Sequence, residues 1–241
     1  MRLLTPKNHG TAAWVYASSH GGGLVGGDQL HLTVQVGAGA AAFLSSQAST
    51  KVYRSQTSTS QHLAASVGAG GQLVVWPDPI VCFAASAYRQ TQHIELAEGA
   101  GLVLVDTISS GRRASGERWQ FTAYESELTV RSGGRLIVRD ALRLSPREGE
   151  LTARMHRFDV LSTAVIAGPR WRDDAERTMA AVAAQPIEQR ADLLAAAAPL
   201  PGGGCLLRLA GRSVEQVTDA LRRQLSFISA LLQDDPWARK W

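Results

Sequence analysis

One spacing constrains this chain more than any other feature. His31 is followed by the turn Gly37-Ala38-Gly39, His62 by Gly68-Ala69-Gly70, and His93 by Gly99-Ala100-Gly101, each copy 31 residues after the last. Equal spacing without insertions is the trace left by stacked, similar supersecondary units, each burying its apolar face on its neighbour. Ahead of the first turn, Gln29–Val36 alternates polar and apolar residues, with side chains 30, 32, 34 and 36 on one face, which predicts a strand. A looser fourth copy, ELTVRSGGRLIV at 127 to 138, keeps strand, glycine turn and strand but arrives three residues late. The expectation is a mainly β, layered or solenoid-like fold in which Gly37, Gly68 and Gly99 occupy equivalent turns. Parallel stacking would also bring His31, His62 and His93 to within roughly 5 Å of one another, each as a half-exposed polar residue at the start of its strand.

The segment from 21 to 28, GGGLVGGD, holds five glycines and an acid in eight residues, a composition suited to a tightly turned backbone. Gly21, Gly23 and Gly26 formally match GxGxxG. The dinucleotide fingerprint, however, needs a helix after the glycines and an acid about 20 residues on. Here a strand follows, and the residues around position 41 are alanines. No Walker A sequence is present either, so nucleotide hydrolysis has no support.

With 241 residues, 45% of them hydrophobic and only 6% aromatic, the chain can build one sizeable core of Val, Leu, Ala and Ile. We therefore expect a single domain, 1–241, with β-rich repeats over 1–167 and mixed helices and one strand over 168–241. The net charge of +4 is spread thin: five basic and five acidic residues up to 110, thirteen and ten from 111 to 177, seven and six thereafter. Arginines at 131, 135, 139, 143 and 147 alternate with other residues as on a solvated strand face or a protein contact surface, not as a nucleic-acid track. No run approaches the length of a membrane span, the start lacks a secretion signal, and Cys82 and Cys205 form no metal or redox motif. The expected setting is the cytoplasm.

In chain order, residues 12 to 18 read as a strand, and Pro77 and Pro79 around Asp78 rule out a central strand there. Residues 151 to 167 read as one or two strands ending at Gly168-Pro169. Asp173 and Asp174 can cap a helix through Ala184, and Pro186 can open a second Ala-rich helix to about Ala198. A strand follows over 205 to 209. Ser213 and Gln216 make a capping-box pattern before Val214, Val217, Leu221, Leu225, Ile228 and Leu232, a helical stripe that Asp234-Asp235-Pro236 ends.

Less ordinary chemistry sits between the repeats. QASTKVYR at 47 to 54 places an ammonium, a phenol and a guanidinium, Lys51, Tyr53 and Arg54, in a string suited to partner binding or to bracing the glycine loop, not to catalysis. Arg112 and Trp119, in the glycine-framed loop from 106 to 121, have the same two uses. Asp28, Asp78, Asp106 and Glu117 lie in glycine- or proline-rich loops, where acids mostly satisfy backbone donors. No nucleophile stands beside a base, so no catalytic residue is assigned. Two classes of function remain: a non-catalytic scaffold, or a β-solenoid enzyme acting on a polymer through Arg and carboxylate groups.

Four motifs decide between them: GGGLVGGD at 21 to 28, STKVYR at 49 to 54, WPDP at 76 to 79 and GRRASGERW at 111 to 119. With these, in this order, the chain resembles the urease accessory protein D family, called protein H in some species. The resemblance implies a β-rich fold with a few helices and no catalysis of its own. It implies a complex with urease accessory proteins F and G, the latter a GTPase, that places nickel in apo-urease. Family members carry further strands ahead of the region of Trp14, so this chain reads as short at its N-terminus, and the segment from Trp237 to Trp241 loosely echoes the family's Arg-and-Trp ending. Nickel favours imidazole, thiolate and carboxylate, yet no HxH, HxxxH or Cys pair occurs. We therefore expect no tight metal site and no tightly bound cofactor, with nickel in transit held weakly by Asp28, Asp78, Asp106 and Glu117.

Overall fold

The computed structural model describes residues 1–186 and 188–237. Its strands are β1 (Arg2–Leu4), β2 (Ala13–Ser18), β3 (Gly23–Leu24), β4 (Gln29–Val36), β5 (Ala41–Ser46), β6 (Thr50–Val52), β7 (Thr59–Val67), β8 (Gln72–Val75), β9 (Ile80–Cys82), β10 (Ala87–Leu96), β11 (Gly101–Ser109), β12 (Ala123–Ser132), β13 (Arg135–Leu144), β14 (Val160–Ala167), β15 (Leu193–Pro199) and β16 (Gly204–Gly211). The helices are α1 (Leu151–Met155), α2 (Arg172–Ala183), α3 (Val214–Gln224) and α4 (Ile228–Leu232). A five-stranded sheet runs in the order β13-β12-β10-β7-β4. A larger sheet runs β1-β2-β5-β8-β11-β14-β16-β15, and the short ladder β3-β6-β9 joins it at β11. Among the described residues no helix is long and apolar enough to cross a membrane.

The repeats are coils of a solenoid-like stack. Each coil runs along the five-stranded sheet, crosses a glycine turn into the large sheet, and returns through a short strand: β4 to β5 and β6, then β7 to β8 and β9, then β10 to β11. All pairings between these coils are parallel. The turns stack as well, since the Gly39 amide donates to the Ala69 carbonyl at 2.9 Å and the Gly70 amide to the Glu98 carbonyl at 3.0 Å. Gly39, Gly70 and Gly99 have φ of 65°, 67° and 68°, a left-handed conformation that glycine adopts at little cost.

Gly39 and Gly70 are 31 residues apart but Gly70 and Gly99 only 29, and the difference corrects the sequence reading. His31 lies opposite His62, but His62 lies opposite Thr91, and His93 lies opposite Ala64. The step from the second coil to the third is 29 residues, two fewer than the 31 from the first to the second. Only two histidines therefore meet: the rings of His31 and His62 stack at 4.7 Å, and His62 Nδ1 turns to Thr91 Oγ1 at 2.6 Å. Gly37, Gly68 and Gly99 all fall in coil turns, with Gly99 taking the left-handed place that Gly39 and Gly70 hold in theirs. The looser fourth copy differs in kind. β12 and β13 form an antiparallel hairpin within one sheet, joined by Gly133-Gly134.

Three apolar clusters hold these layers together. Leu63, Ile94, Leu73, Leu102, Leu104 and Val130 fill the space between the sheets. On the other face of the large sheet, Trp14, Phe43, Val103 and Ile166 pack against Val217, Leu221, Leu225, Ile228 and Leu232 of the C-terminal helices. Val52, Cys82, Tyr88, Trp119, Phe121 and Tyr124 close one end. The large sheet is thus buried on both faces, as its aliphatic runs require.

Beyond residue 150 several expectations change. Leu151–Met155 is a short helix, and only Val160–Ala167 is a strand. The Ala-rich stretch expected as a helix after Pro186 is instead the edge strand β15, which pairs with β16 across the glycine-rich turn at 202 to 204. Its alternate residues Leu193, Ala195 and Ala197 pack on the helix-side core, so tertiary burial overrides alanine's helical preference. Asp173 and Asp174 sit inside the first turn of α2, where they favour the positive end of its dipole without capping it. At α3 the Ser213 hydroxyl accepts from the Gln216 amide at 3.2 Å, while the Gln216 side chain reaches back to the amide of Arg212, one residue before the cap. Trp237 packs edge-on against Trp76 at 5.0 Å, and residues 238–241 of the expected Arg-and-Trp ending lie outside the described residues.

Candidate functional site

Two hollows lie beside the glycine loop, and the four sequence motifs divide between them. The first, an open hollow of about 430 Å³, is lined by Tyr53, Arg54, Phe83, Ala84, Ala85, Arg112 and Glu117. β6 ends at Val52 and delivers Tyr53 to its rim, where the phenol ring meets Phe83 edge-on at 5.1 Å. The Tyr53 amide donates to the Leu24 carbonyl at 2.9 Å. Behind it, a Cβ on Gly23 would come within 2.6 Å of both the Tyr53 ring and the Lys51 carbonyl, so only glycine lets the loop lie this close.

Across the hollow the Arg112 guanidinium stacks 4.3 Å over the Phe83 ring and forms a two-pronged pair with Glu117. Glu117 also accepts from the Ala84 amide at 3.1 Å. The hydrogen bonds from Arg112, then the Ala84 amide, hold the Glu117 carboxyl below its ordinary value although partial burial opposes them. Ala85 is left-handed at φ 58°, unusual without glycine, and its N–H donates a hydrogen bond to the Gln120 carbonyl at 3.0 Å. Among the described residues, the Lys51 ammonium and the Arg54 guanidinium have no hydrogen-bond or ion-pair partner.

Trp119 sits elsewhere. It is 2% exposed, its Nε1 donates to the Phe158 carbonyl at 3.0 Å, and its ring meets Phe121 edge-on at 6.0 Å. Its loop is fastened by Arg113 and Arg118, which both pair with the buried carboxylate of Asp159.

The second hollow is a cavity of about 380 Å³ between the two sheets. Leu30, Leu32, Leu44 and Leu63 give it an apolar wall, and Lys51, Asp78, Gln90, Gln92 and Asp106 give it polar ones. Asp78 and Ser46 hold each other, the Asp78 amide donating to the hydroxyl at 2.7 Å and the hydroxyl to the carboxylate at 2.8 Å. Asp106 projects from β11 on the inner side that Leu102 and Leu104 share, at a position where the alternation calls for an apolar residue. Its carboxyl accepts from Gln90 Nε2 at 2.5 Å and from Ser126 Oγ at 3.0 Å, and Gln90 in turn lies within reach of the hydroxyls of Tyr88 and Tyr124. None of these four partners was marked out by the sequence. They come from β10 and β12, and only the sheet register brings them together.

The four acids therefore separate. Asp78 and Asp106 line the cavity, whereas Asp28 accepts from the Val25 amide at 2.9 Å within the glycine loop, and Glu117 belongs to the outer hollow. Burial raises the Asp106 carboxyl above its ordinary value, against the lowering effect of Gln90 and Ser126. In the folded chain this acid keeps its proton at a pH where the unfolded chain has lost it. Its contribution to stability is therefore largest below about pH 4 and falls as the pH rises through the folded value. Asp106→Asn should remove that decline, so that urea midpoints of variant and native chain diverge in the variant's favour from acid to neutral pH. Parallel curves would show that the carboxyl titrates alike in both states.

Comparison with known proteins identifies the class. The family described as UreD urease accessory protein matches residues 1–241, the whole chain. A urease accessory protein UreD of Sorangium cellulosum is 56% identical over 241 residues, covering 100% of this chain and 77% of that protein. A second, from an Anaeromyxobacter species, is 47% identical, covering 99% and 81%. A urease accessory protein D of Oryza sativa subsp. indica is 31% identical over 267 residues, covering 98% and 87%. The chain belongs to the UreD family of urease accessory proteins, which places it in urease maturation.

Proposed function

We propose that the chain is a non-catalytic scaffold of the cytoplasm that joins urease accessory proteins F and G and apo-urease, so that nickel is incorporated. The observation that carries this reading is the outer hollow. Residues from two distant motifs and from the segment 83–85 converge there on an aromatic edge beside an unengaged guanidinium, the combination that anchors protein interfaces. Nickel is cargo in this reading. Asp78 and Asp106, which reach one cavity from different segments, would hold it weakly on an internal route, while Asp28 and Glu117 brace loops.

Co-expression with an accessory F homologue, read by size exclusion, tests the scaffold: a stable complex is expected, and separate elution of the two chains would count against it. Asp78→Ala with Asp106→Ala tests the route. Nickel content of co-expressed urease should fall several-fold while the complex still elutes as one species. Unchanged nickel content would remove the cavity from the route, and hydrolytic activity in the isolated chain would overturn the scaffold itself.

A further inference from the structure

The large sheet ends at β15, an edge made by the interior of the chain. Among the described residues β15 pairs with β16 alone. β1 lies at the opposite margin, seven strand spacings or roughly 34 Å away. Trp237 packs on Trp76 beyond β8, four spacings from the edge. The segment ahead of β15 is drawn back toward Arg157, whose guanidinium donates to the carbonyls of Ala191 at 2.8 Å and Gln189 at 3.5 Å.

The Leu200 amide donates to the Gly204 carbonyl at 3.0 Å, which fixes the phase of the β15–β16 hairpin. Even-numbered residues of β15 therefore exchange backbone hydrogen bonds with β16, and the N–H and C=O groups of Leu193, Ala195 and Ala197 point out of the sheet. Exposed edges are usually blunted by charge, proline or a bulge. β15, with the sequence LLAAAAP, has no charge, and its proline stands at the last position. Leu193, Ala195 and Ala197 pack on the helix-side core, so Leu194, Ala196 and Ala198 face the other way. There they are exposed, Leu194 by 44%. The last strand of the five-stranded sheet, β13, stands beneath β16, where Asp140 pairs with Arg208.

This strand is complementary to itself. In an antiparallel pair about a twofold axis at Ala195, Ala195 meets Ala195 of the second copy and Leu193 meets Ala197, so every outward N–H finds a carbonyl. Sliding by two residues one way sets Pro199 opposite Leu193 and loses a donor; the other way sets Ala197 opposite Ala191, outside the strand. The same register places Leu194 against Ala196 on the underside, so at each off-axis pair a leucine covers an alanine. A stable interface clears roughly 1,000 Å², more than a seven-residue strand pair covers, so the helical layer must join it. α2 packs over both β15 and β16, and its axis therefore stands about half a strand spacing inside the edge. Across the twofold axis the two α2 helices lie about two spacings apart, roughly 10 Å, a distance at which helices pack. Ala180, Ala181 and Ala183 are exposed on α2 and leave room for that approach. We propose that two copies of this chain pair through β15 about this axis, forming a homodimer with one continuous large sheet. The inference stands independently of the scaffold reading.

Sedimentation velocity of the whole chain tests the pairing. A concentration-dependent dimer is expected, and Ala195→Pro, which removes an outward N–H at the axis from each copy, should weaken it about tenfold or more. Ala195→Cys gives a second reading, since a hydrogen-bonded antiparallel pair sets the two Cα atoms about 5.5 Å apart, within disulfide reach. Oxidation should then yield a covalent dimer, to which Cys82 and Cys205, both buried, should not contribute. Hydrogen exchange on the native chain depends on no variant: the amides of Leu193, Ala195 and Ala197 should slow as concentration rises. A native chain that stays monomeric, or a dimer that leaves those amides unprotected, would overturn the proposal. So would slowing of the same amides only when an accessory F homologue is added, since the edge would then belong to that partner.

Discussion

Arg54→Ala is expected to abolish stable assembly with the accessory partners while leaving the fold intact. Arg54 is exposed and, among the described residues, engages no other side chain, so its removal costs the chain nothing internally. At an interface the same truncation of an Arg anchor costs about 2 kcal/mol or more, some thirtyfold in affinity. Tyr53→Ala adds a second loss of mixed origin, because its ring packs on Phe83 and on the backbone of Gly23. The single Arg54 variant is therefore the cleaner test, with the double variant expected to weaken pull-down further and to lower urease activation in proportion. Native-like complex formation by the double variant would remove this hollow from the partner surface.

Trp119→Ala should be among the most destabilising single changes on this face of the protein. A buried aromatic of this size costs about 3–5 kcal/mol on truncation, and here the Phe158 carbonyl also loses one of its two donors, keeping Arg118. In a chain of this length that corresponds to a melting temperature lower by on the order of 10 °C. The same measurement separates bracing from binding. A fall of only about 2 °C together with loss of partner binding would make Trp119 an interface residue, and the loop fastened by Arg113, Arg118 and Asp159 would then have to open to present it.

Much of the architecture is legible in the residues. The strand at Gln29–Val36 and the apolar stripe from Val217 to Leu232 each have one apolar face, although the stripe expected on one helix is divided between α3 and α4 by a turn at 225–227. Residues 193 to 199 have no such face, because a run of alanines shows neither a period of two nor one of 3.6; pairing with β16 decides its form. The position of His93 was illegible for a different reason. A register slip of two residues leaves every side chain on its own face, so alternation fits both registers equally and packing alone selects one. Among the site residues, Tyr53, Arg54 and Arg112 stand out by type and motif. Phe83, Gln90, Ser126 and Asp159 do not, since their roles depend on contacts made across sheets or loops.

The coil ladders follow one numerical rule. Ala13, Ala42, Leu73 and Leu102 stand in line across the large sheet, at steps of 29, 31 and 29. Gly23, Lys51, Val81 and Ser109 stand in line in the short ladder, at steps of 28, 30 and 28. Each ladder thus varies only by two, the repeat of the pleat itself. A change of two residues within a strand slides it past its neighbour with its inner and outer faces intact, whereas a change of one turns that strand inside out; odd differences, such as that between the 36-residue step from β10 to β12 and the 29-residue step before it, are taken up in the loops between strands.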